Sequence, residues 1–399
     1  MKLRQYIDAI SYFCPSIYYK MYIERAIEQQ VLKYLTPGKV VLILGARRIG
    51  KTLLLKKMIE KLPNEHILKL NGEDAATVEI LKQRTIENYQ RLLKNYSLLI
   101  IDEAQHVPEI GMALKLIVDE ISNIKILVTG SSMFDLNNKT GEPLTGRKIT
   151  LQMFPFSQIE YATKENLVQT AANLEERLVF GSYPELLQIE NAIDKRKYLN
   201  ELVKDYLLKD ILMLDGLRNA HKMLDLLRLI AFQLGKEVSL EELGRQLGLS
   251  KNTVEKYLDL LSKVFVVYRV GGFSRNLRNE LVKSSKWYFY DNGIRNALIA
   301  NFSVLTLRND VGDLWENYCL SERLKYQSYK QIPANNYFWR TYQQQEIDWI
   351  EEIDSKLFAY EIKWNPSKLV KAPKTWSNAY PDAEFSVVHP KNYLDWLGL

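Results

Sequence analysis

Short aliphatic runs alternate with polar, turn-forming segments through the first 150 residues of the chain. Val40 to Leu44 is an unbroken aliphatic run between two turn-forming segments, and Leu98 to Ile101 and Ile126 to Val128 repeat the pattern. Such runs are typical of parallel strands that are buried on both faces. Apolar residues at helical spacing from Leu53 to Leu62 predict an amphipathic helix after the first strand. The pattern therefore predicts an α/β domain that is built on a parallel sheet.

A glycine-rich loop follows the first predicted strand. Residues 45–52 read GARRIGKT, which fits the pattern GxxxxGKT/S between a strand and a helix. Glycines let consecutive backbone N–H groups surround a polyphosphate at a helix N-terminus, where partial positive charge already favours an anion. We expect Lys51 to neutralise the β- and γ-phosphates of ATP, and the Thr52 hydroxyl to ligate Mg²⁺. The predicted nucleotide-binding residues are Gly45, Ala46, Arg47, Arg48, Ile49, Gly50, Lys51, Thr52 and Leu53.

Two adjacent carboxylates end the strand that begins at Leu98. Open parallel sheets bind ligands at the carboxyl ends of their strands, where Asp102 and Glu103 would lie. Asp102 is predicted to hold Mg²⁺ through water, and Glu103 to polarise the attacking water as a general base. A further strand, His66 to Leu70, intervenes in the sequence, so the Asp-Glu strand is not the immediate successor of the P-loop strand. That topology is typical of ATPases with a catalytic glutamate.

Polar side chains after the next strand are candidates for contact with the γ-phosphate. Thr129, Ser131 and Ser132 lie where a sensor residue would be expected, and we assign Ser131 to nucleotide binding. Turn formation explains these three residues equally well. Arg147 is a candidate to meet a γ-phosphate in its own chain or in a neighbouring copy, and a plain surface arginine is the alternative.

Between residues 239 and 264 the pattern predicts two short helices joined by a glycine turn. Ser239 is a candidate N-cap for apolar residues at 240, 243 and 247, and the segment 248–250 then breaks and re-caps the chain. An amphipathic helix over 251–264 completes a helix-turn-helix pattern. Predicted strands over 264–270 and around 287–290, with a turn at Gly271-Gly272, are the arrangement of a wing.

Positive charge is concentrated in the predicted wing, residues 263–286. A basic segment of this kind is a candidate for contact with nucleic acid. Lys251, Asn252 and Lys256 on the second helix would have to reach bases or phosphates. The alternative, to which we give equal weight, is a winged helix that serves as a packing lid. The wing has a net charge of +5, from Lys263, Arg269, Arg275, Arg278, Lys283 and Lys286 against Glu280.

The last hundred residues place two carboxylates and a lysine on neighbouring predicted strands. Strands over 336–340, 346–350 and 357–364 would bring Asp348 next to Glu361 and Lys363, since residues two apart on a strand share a face. Asp348 and Glu361 would hold Mg²⁺ or Mn²⁺, and Lys363 would orient or help deprotonate a water, for phosphodiester cleavage. Glu316, on a preceding helix, would complete the metal shell. Alternating charges on an exposed strand face are the simpler explanation.

Composition narrows the class of protein further. The 399 residues suggest two to three domains, and 47% hydrophobic and 26% charged residues exclude a mainly disordered chain. The longest apolar runs are far short of a membrane span, so we expect a cytoplasmic protein. Two cysteines and four histidines support neither a disulfide framework nor a zinc site, so any metal must be held by oxygen. A net charge of +6 is modest.

The order of these motifs resembles a large prokaryotic AAA-type ATPase family from about residue 20 to residue 370. Its members carry a C-terminal domain that looks like a PD-(D/E)xK nuclease, and residues 315–317, 346–348 and 361–363 stand where that domain has its motifs. Ser182 stands where the family usually has a second glycine. The segments that carry the resemblance are Gly45 to Thr52, Ile101 to Gln105, Thr129 to Ser132, Leu144 to Arg147, Pro155 to Ser157 with Glu160, and Gly181 to Pro184.

We therefore predict an α/β fold: a three-layer P-loop NTPase sandwich of AAA type, a helical and winged-helix region, and a restriction-endonuclease-like α/β domain. The predicted boundaries are 1–30 for an N-terminal helical extension, 31–165 for the ATPase core, 166–300 for the helical and winged-helix region, and 301–399 for the nuclease-like domain. The expected function is an Mg²⁺-dependent ATPase switch acting on nucleic acid. The alternatives are a nucleotide-controlled interaction protein, of defence or toxin-antitoxin type, whose nuclease-like domain only recognises a partner, and a winged-helix transcription regulator. The target and the oligomeric state stay open.

We expect residues 251–286 to carry whatever nucleic-acid affinity the chain has. Replacing Arg275, Arg278 and Lys283 together by Ala should flatten the salt dependence of binding, because each lost phosphate contact lowers the slope by about 0.9. Fluorescence anisotropy with duplex DNA and with RNA, over a salt titration, measures that slope. Absence of salt-dependent binding by the unsubstituted protein would instead identify the winged helix as a lid.

Overall fold

The structure, a computed structural model, describes residues 22–131, 144–207, 220–274, 285–367 and 370–399. Helices and two β-sheets make up this part of the chain. Predicted features at Ser132, Arg275, Arg278, Glu280 and Lys283 lie outside the described residues, as does most of the extension predicted over 1–30.

A five-stranded parallel sheet forms the core of the first part, as the aliphatic runs predicted. β1 and β3 are buried at every position, because their aliphatic side chains are covered on both faces. The strand order is β2-β3-β4-β1-β5, so β4 separates the P-loop strand from the Asp-Glu strand. The strands are β1 (Val40–Leu44), β2 (Ile67–Asn71), β3 (Leu98–Asp102), β4 (Lys125–Gly130) and β5 (Lys148–Gln152).

Helices connect these strands. The helix predicted over 53–62 begins two residues earlier, directly at the end of the P-loop. A buried capping box, in which Ser157 and Glu160 bond each other's backbone N–H groups, starts the short helix α6. The helices of this part are α1 (Glu28–Tyr34), α2 (Lys51–Glu60), α3 (Ala75–Lys82), α4 (Ile86–Leu93), α5 (Ile110–Glu120) and α6 (Gln158–Tyr161), with a 3-10 turn at Ala104–His106.

A helical region follows the first sheet. The two helices predicted around Gly248 are present: Ser239 and Ser250 cap them through their side chains, and Gly248 ends the first with a left-handed φ of 61°. The helices here are α7 (Leu167–Phe180), α8 (Ala192–Glu201), α9 (Ala220–Phe232), α10 (Leu240–Leu247), α11 (Lys251–Lys263) and α12 (Asn292–Leu298), with 3-10 turns at Pro184–Gln188 and Leu305–Leu307 and a π-helical turn at Leu202–Leu207.

A second sheet of seven strands runs through both the middle and the last third of the chain. Its order is β12-β11-β10-β9-β7-β8-β6, and β7 pairs in parallel with β9. Strands from either side of the boundary predicted at 300 therefore share one sheet. The strands are β6 (Glu237–Val238), β7 (Val267–Gly272), β8 (Ser285–Phe289), β9 (Asn335–Arg340), β10 (Glu346–Ile353), β11 (Lys356–Ile362) and β12 (Glu384–Val388).

The predicted wing differs from the observed strands in two details. The strand expected from residue 264 begins at Val267, because α11 continues to Lys263 and Phe265 takes a left-handed φ of 61°. Gly271 and Gly272 do not form a turn. They belong to β7, where Gly271 pairs with Ser285 of β8 and with Tyr337 of β9.

A 20-residue helix, α13 (Val311–Lys330), precedes the C-terminal strands, and it begins four residues before the predicted start at Trp315. β10 extends to Ile353, and the predicted turn narrows to Asp354 and Ser355, both with positive φ. Two short helices, α14 (Lys374–Ala379) and α15 (Tyr393–Trp396), complete the chain. Within the described residues, no helix has the length and apolar character to cross a membrane.

Candidate nucleotide site and carboxylate cluster

The P-loop joins the carboxyl end of β1 to the N-terminus of α2. A Cβ on Gly45 would lie 2.2 Å from the carbonyl oxygen of Met153, so only glycine fits this close approach. Gly50 has a φ of 93° and caps α2 without a side-chain hydrogen bond. The first N–H groups of the helix therefore remain available to an anion.

Lys51 lies inside this loop rather than in solvent. Its side-chain ammonium donates to the carbonyl oxygens of Gly45, at 3.0 Å, and Ala46, at 2.9 Å, and the residue is buried. These bonds hold a positive charge beside the open end of α2. A bound polyphosphate would gain a charge-assisted contact that the two neutral carbonyls do not offer. The loop residues thus fit the phosphates of a nucleotide.

Asp102 and Glu103 meet Thr129 at the carboxyl ends of β3 and β4. The Thr129 hydroxyl donates to Asp102 Oδ1 at 2.5 Å and accepts from the Glu103 backbone N–H at 3.1 Å. Glu103 takes a left-handed φ of 50°, which turns the chain sharply after the strand. One hydroxyl therefore fixes both acidic residues next to β4, the strand between β3 and the P-loop strand. Of the three candidate sensor hydroxyls, Thr129 has this contact.

Gln105 adds a link that the sequence pattern did not reveal. Its amide nitrogen donates to the Glu103 carboxylate at 2.5 Å, and its amide oxygen accepts from the Ser131 backbone N–H at 3.3 Å. Ser131 is buried at the end of β4. The predicted base and the predicted sensor strand are therefore joined through one side chain.

Arg147 does not lie where it could contact a γ-phosphate bound to its own chain. Its carbonyl oxygen accepts from the Val40 N–H at the start of β1, whereas the P-loop follows the other end of that strand. Its guanidinium pairs with Asp119 of α5 at 2.5 Å. The expectation of a same-chain phosphate contact is therefore corrected. Contact with a nucleotide in a neighbouring copy stays a prediction.

A cavity of about 600 Å³ adjoins the P-loop. Its lining is mainly apolar, and it opens between the chain before α1, the first turns of α2 and the 184–190 segment. Such a lining suits a flat, partly apolar ligand. The residues around it include Tyr22, Ile23, Gly50, Leu53, Phe156 and Leu187.

Arg25, which no motif marks in the sequence, connects these parts. Its buried guanidinium pairs with Glu160 at 2.8 Å and donates to the carbonyl oxygens of Ile49, in the P-loop, and Phe154. The Phe156 ring stacks under it, 4.4 Å from Cζ. Removing one partner of such a buried ion pair costs roughly 3–5 kcal/mol. Through Arg25, the Pro-Phe-Ser segment and Glu160 thus contact the P-loop backbone.

Gly181 shows why the departure at Ser182 is tolerated. Gly181 has a φ of 78°, and a Cβ there would lie 2.0 Å from the carboxylate of Asp291. Ser182 contributes its backbone N–H to the same carboxylate at 2.7 Å. The steric restriction therefore falls on the first position of the pair, which is glycine in this chain.

The C-terminal candidates come together on β10 and β11. Lys363 Nζ lies 2.6 Å from Glu361 Oε1 and 3.6 Å from Asp348 Oδ2. Asp348 also accepts the backbone N–H of Ile362 at 2.8 Å. The structure thus brings the three predicted residues together, although β10 is irregular between Ile347 and Ile350 and Lys363 follows the last residue of β11.

Glu316 approaches the same carboxylates from α13. The Tyr288 hydroxyl of β8 donates to Glu316 Oε1 at 2.6 Å. Burial and the charge of Asp348 raise the pKa of the Glu316 carboxyl well above its ordinary value, and the same two causes raise the pKa of Glu361. We call Glu316, Glu346, Asp348 and Glu361 the carboxylate cluster.

Lys286 is buried against the carboxylate cluster and does not belong to a basic surface. Its side chain is 2% exposed, and its ammonium contacts Glu346 and lies 3.9 Å from Glu316 Oε1. The expectation that it adds to the nucleic-acid surface of the wing is therefore corrected. Among the described residues, no three His, Cys, Asp or Glu side chains are grouped so that they could hold a metal ion. The metal shell predicted from Glu316, Asp348 and Glu361 is thus not formed in this arrangement.

Comparison with known proteins assigns the first part of the chain. Residues 37–162 match a family model described as an AAA domain. This region is an AAA-type P-loop domain. Residues 171–305 and 311–396 match two further models, each described as a domain of unknown function (DUF8612 and DUF4143).

The relatives span much of the chain at low identity. An uncharacterized protein of Mycobacterium tuberculosis is 26% identical over 328 residues, which cover 81% of this chain and 70% of that protein. An uncharacterized protein of Methanocaldococcus jannaschii is 23% identical over 388 residues, which cover 92% of this chain and 84% of that protein.

Solved structures with partial similarity include two bacterial proteins. AMPPCP-bound DnaA from Aquifex aeolicus is 16% identical, with a TM-score of 0.32, over 59% of this chain and 86% of that chain. A RuvB mutant from Thermotoga maritima is 18% identical, with a TM-score of 0.31, over 62% of this chain and 90% of that chain. The AAA assignment accordingly depends on the family model and on the P-loop geometry.

Proposed function

We propose that this chain is an ATP-hydrolysing switch protein. Lys51 and the N–H groups at the start of α2 bind the phosphates, Thr52 and Asp102 hold the Mg²⁺ that neutralises developing charge, and Glu103 activates water. The apolar cavity beside Leu53 receives the base. The observation that carries the proposal is that Thr129, on the strand between β3 and the P-loop strand, bonds both Asp102 and Glu103.

The output of the switch is transmitted through α13. Residues in the second half of this helix bind the segment that Arg25 ties to the P-loop. Lys325 donates to the Phe156 carbonyl oxygen at 3.2 Å, and Glu322 accepts the Gln158 N–H at 2.5 Å. Phe156 also lines the cavity next to the P-loop. A nucleotide that shifts this segment therefore acts directly on α13.

The middle region is proposed to be a winged helix that contacts nucleic acid. Its support is the order of α9, β6, α10, α11, β7 and β8 in the chain, together with the basic composition of residues 263–286. Several of its cations have partners within the chain, since Lys251 pairs with Glu241, Lys263 with Asp259 and Lys286 with Glu346. This reduces the basic surface of the described part and keeps the packing-lid alternative open.

The C-terminal domain is proposed to recognise a partner rather than to cleave nucleic acid. Lys363 already pairs with Asp348 and Glu361, and Lys286 lies 3.9 Å from Glu316, so lysine ammonium groups contact the three carboxylates that were expected to hold a metal ion. A metal-dependent nuclease requires those oxygens for its cation. The competing function is metal-dependent cleavage of nucleic acid by Asp348, Glu361 and Lys363.

The ATPase proposal is tested by two substitutions with opposite effects on binding. Lys51→Ala should abolish ATP binding, because it removes the cation from the phosphates. Glu103→Gln should retain ATP but lower turnover by at least about 100-fold, as expected for loss of a general base. Equilibrium binding of a fluorescent ATP analogue and phosphate release measure the two effects.

Matched controls are available on exposed positions of the same domain. Lys82→Ala and Glu79→Gln alter an exposed ion pair on α3 and should leave both binding and turnover unchanged. Wild-type turnover by Glu103→Gln would reject its role as the base. Retention of full ATP affinity by Lys51→Ala would reject the phosphate site.

Cleavage assays separate the two readings of the C-terminal domain. The full-length protein with Mn²⁺ should leave single- and double-stranded DNA and RNA intact, with or without ATP. Asp348→Ala and Lys363→Ala serve as controls, because activity that survives in both belongs to a contaminant. Cleavage that is lost in each variant would establish a nuclease and contradict the recognition proposal.

A further inference from the structure

Lys286 is enclosed by groups that suit a cation. Its ammonium contacts the Glu346 carboxylate, lies 3.9 Å from Glu316 Oε1 and is 5.2 Å from the centroid of the Phe338 ring. These three groups come from α13, β9 and β10, which are separate elements of the fold. Because a buried ammonium is costly unless it is paired, this arrangement is a built position for a positive charge.

The position is next to the oxygens that a metal ion would need. Glu346 and Asp348 are two residues apart on β10, beside an irregularity in its pairing with β9. Burial lowers the pKa of Lys286, but the charges of Glu316, Asp348 and Glu346 raise it above its ordinary value. Lys363 bridges Asp348 and Glu361 on the other side of the cluster. Two lysines therefore supply positive charge to carboxylates that the nuclease-like pattern assigns to a divalent cation.

We propose that Lys286 is the resident cation of the carboxylate cluster and that it excludes a divalent metal ion from Glu316, Glu346 and Asp348. This role of Lys286 does not depend on ATP hydrolysis.

The residue comes from the strand that the sequence assigns to the wing. Two positions along β8, Tyr288 shares the face of Lys286 and donates to Glu316 at 2.6 Å. Since β8 is joined to β9 through β7 in one sheet, the wing strand supplies both the cation and a hydrogen-bond donor to the C-terminal cluster. Residues of both the predicted wing and the C-terminal region therefore contribute to this site.

The proposal predicts a gain of metal binding when the lysine is removed. In Lys286→Met, a side chain of similar length without charge leaves the carboxylates to an external cation. Nucleotide-free full-length protein should then bind Mn²⁺ at least about tenfold more tightly than wild type in isothermal titration. Its thermal midpoint should rise with added Mn²⁺, whereas that of the wild type should not.

Three further variants identify the site of any gain. Lys325→Met removes another buried lysine, which pairs with Glu322 at 2.7 Å outside the cluster, and should gain no Mn²⁺ binding. Lys286→Arg keeps the charge and should also gain none. Adding Glu316→Gln to Lys286→Met should abolish the gain, which excludes the P-loop as the site.

Folding is checked by circular dichroism and by retained ATP binding. If Lys286→Met alone does not fold, the double substitution Lys286→Met, Glu346→Gln removes the ammonium together with its nearest carboxylate and should still bind Mn²⁺ more tightly than wild type. A folded variant without this gain overturns the proposal. So does wild-type Mn²⁺ binding that Asp348→Ala removes, because a metal would then fit beside Lys286.

Discussion

The docking of α13 against both halves of the molecule is the constraint on which the rest of the structure depends. In its first half, the buried Asn317 bonds both the N–H and the carbonyl oxygen of Phe289 at the end of β8, at 2.8 and 3.1 Å. In its second half, Lys325 and Glu322 bond the segment behind the P-loop. Because one rigid helix makes both sets of contacts, the AAA domain and the seven-stranded sheet cannot shift independently without breaking buried hydrogen bonds.

The same helix connects the nucleotide cavity to the carboxylate cluster by short steps. Arg25 joins the P-loop carbonyl of Ile49 to Phe154 and Glu160, and that segment contacts α13. Further along, Arg323 pairs with both oxygens of Glu351 on β10, the strand that carries Asp348. These contacts supply a physical route for coupling, and a coupling free energy between two sites is what defines a switch.

Local sequence patterns were sufficient to predict candidate site residues that lie close together along one strand or on neighbouring strands. The P-loop, the Asp102-Glu103 pair and the Asp348, Glu361 and Lys363 trio each lie at the ends of one or two strands. Strand and helix periodicity was therefore enough to predict the elements that carry or adjoin them. The bounds of β7 were missed because a left-handed Phe265 delays the strand, a feature that hydrophobicity does not encode.

Contacts between distant segments could not be predicted in the same way. Arg25 meets Glu160 across 135 positions, and Lys286 meets Glu346 across 60. In the sequence, Lys286 is indistinguishable from the other basic residues of the wing, since only the pairing of β7 with β9 brings it to the cluster. The parallel pairing of Gly271 with Tyr337, 66 positions later, has no local signature in the sequence.

Hydrogen–deuterium exchange of full-length Glu103→Gln, with and without Mg²⁺-ATP, tests most directly whether the nucleotide site controls α13. ATP should change exchange in residues 154–158 and 311–330 as well as in the P-loop, and Lys51→Ala should show none of these changes. Changes confined to the P-loop and its cavity, with α13 unaffected, would contradict such control.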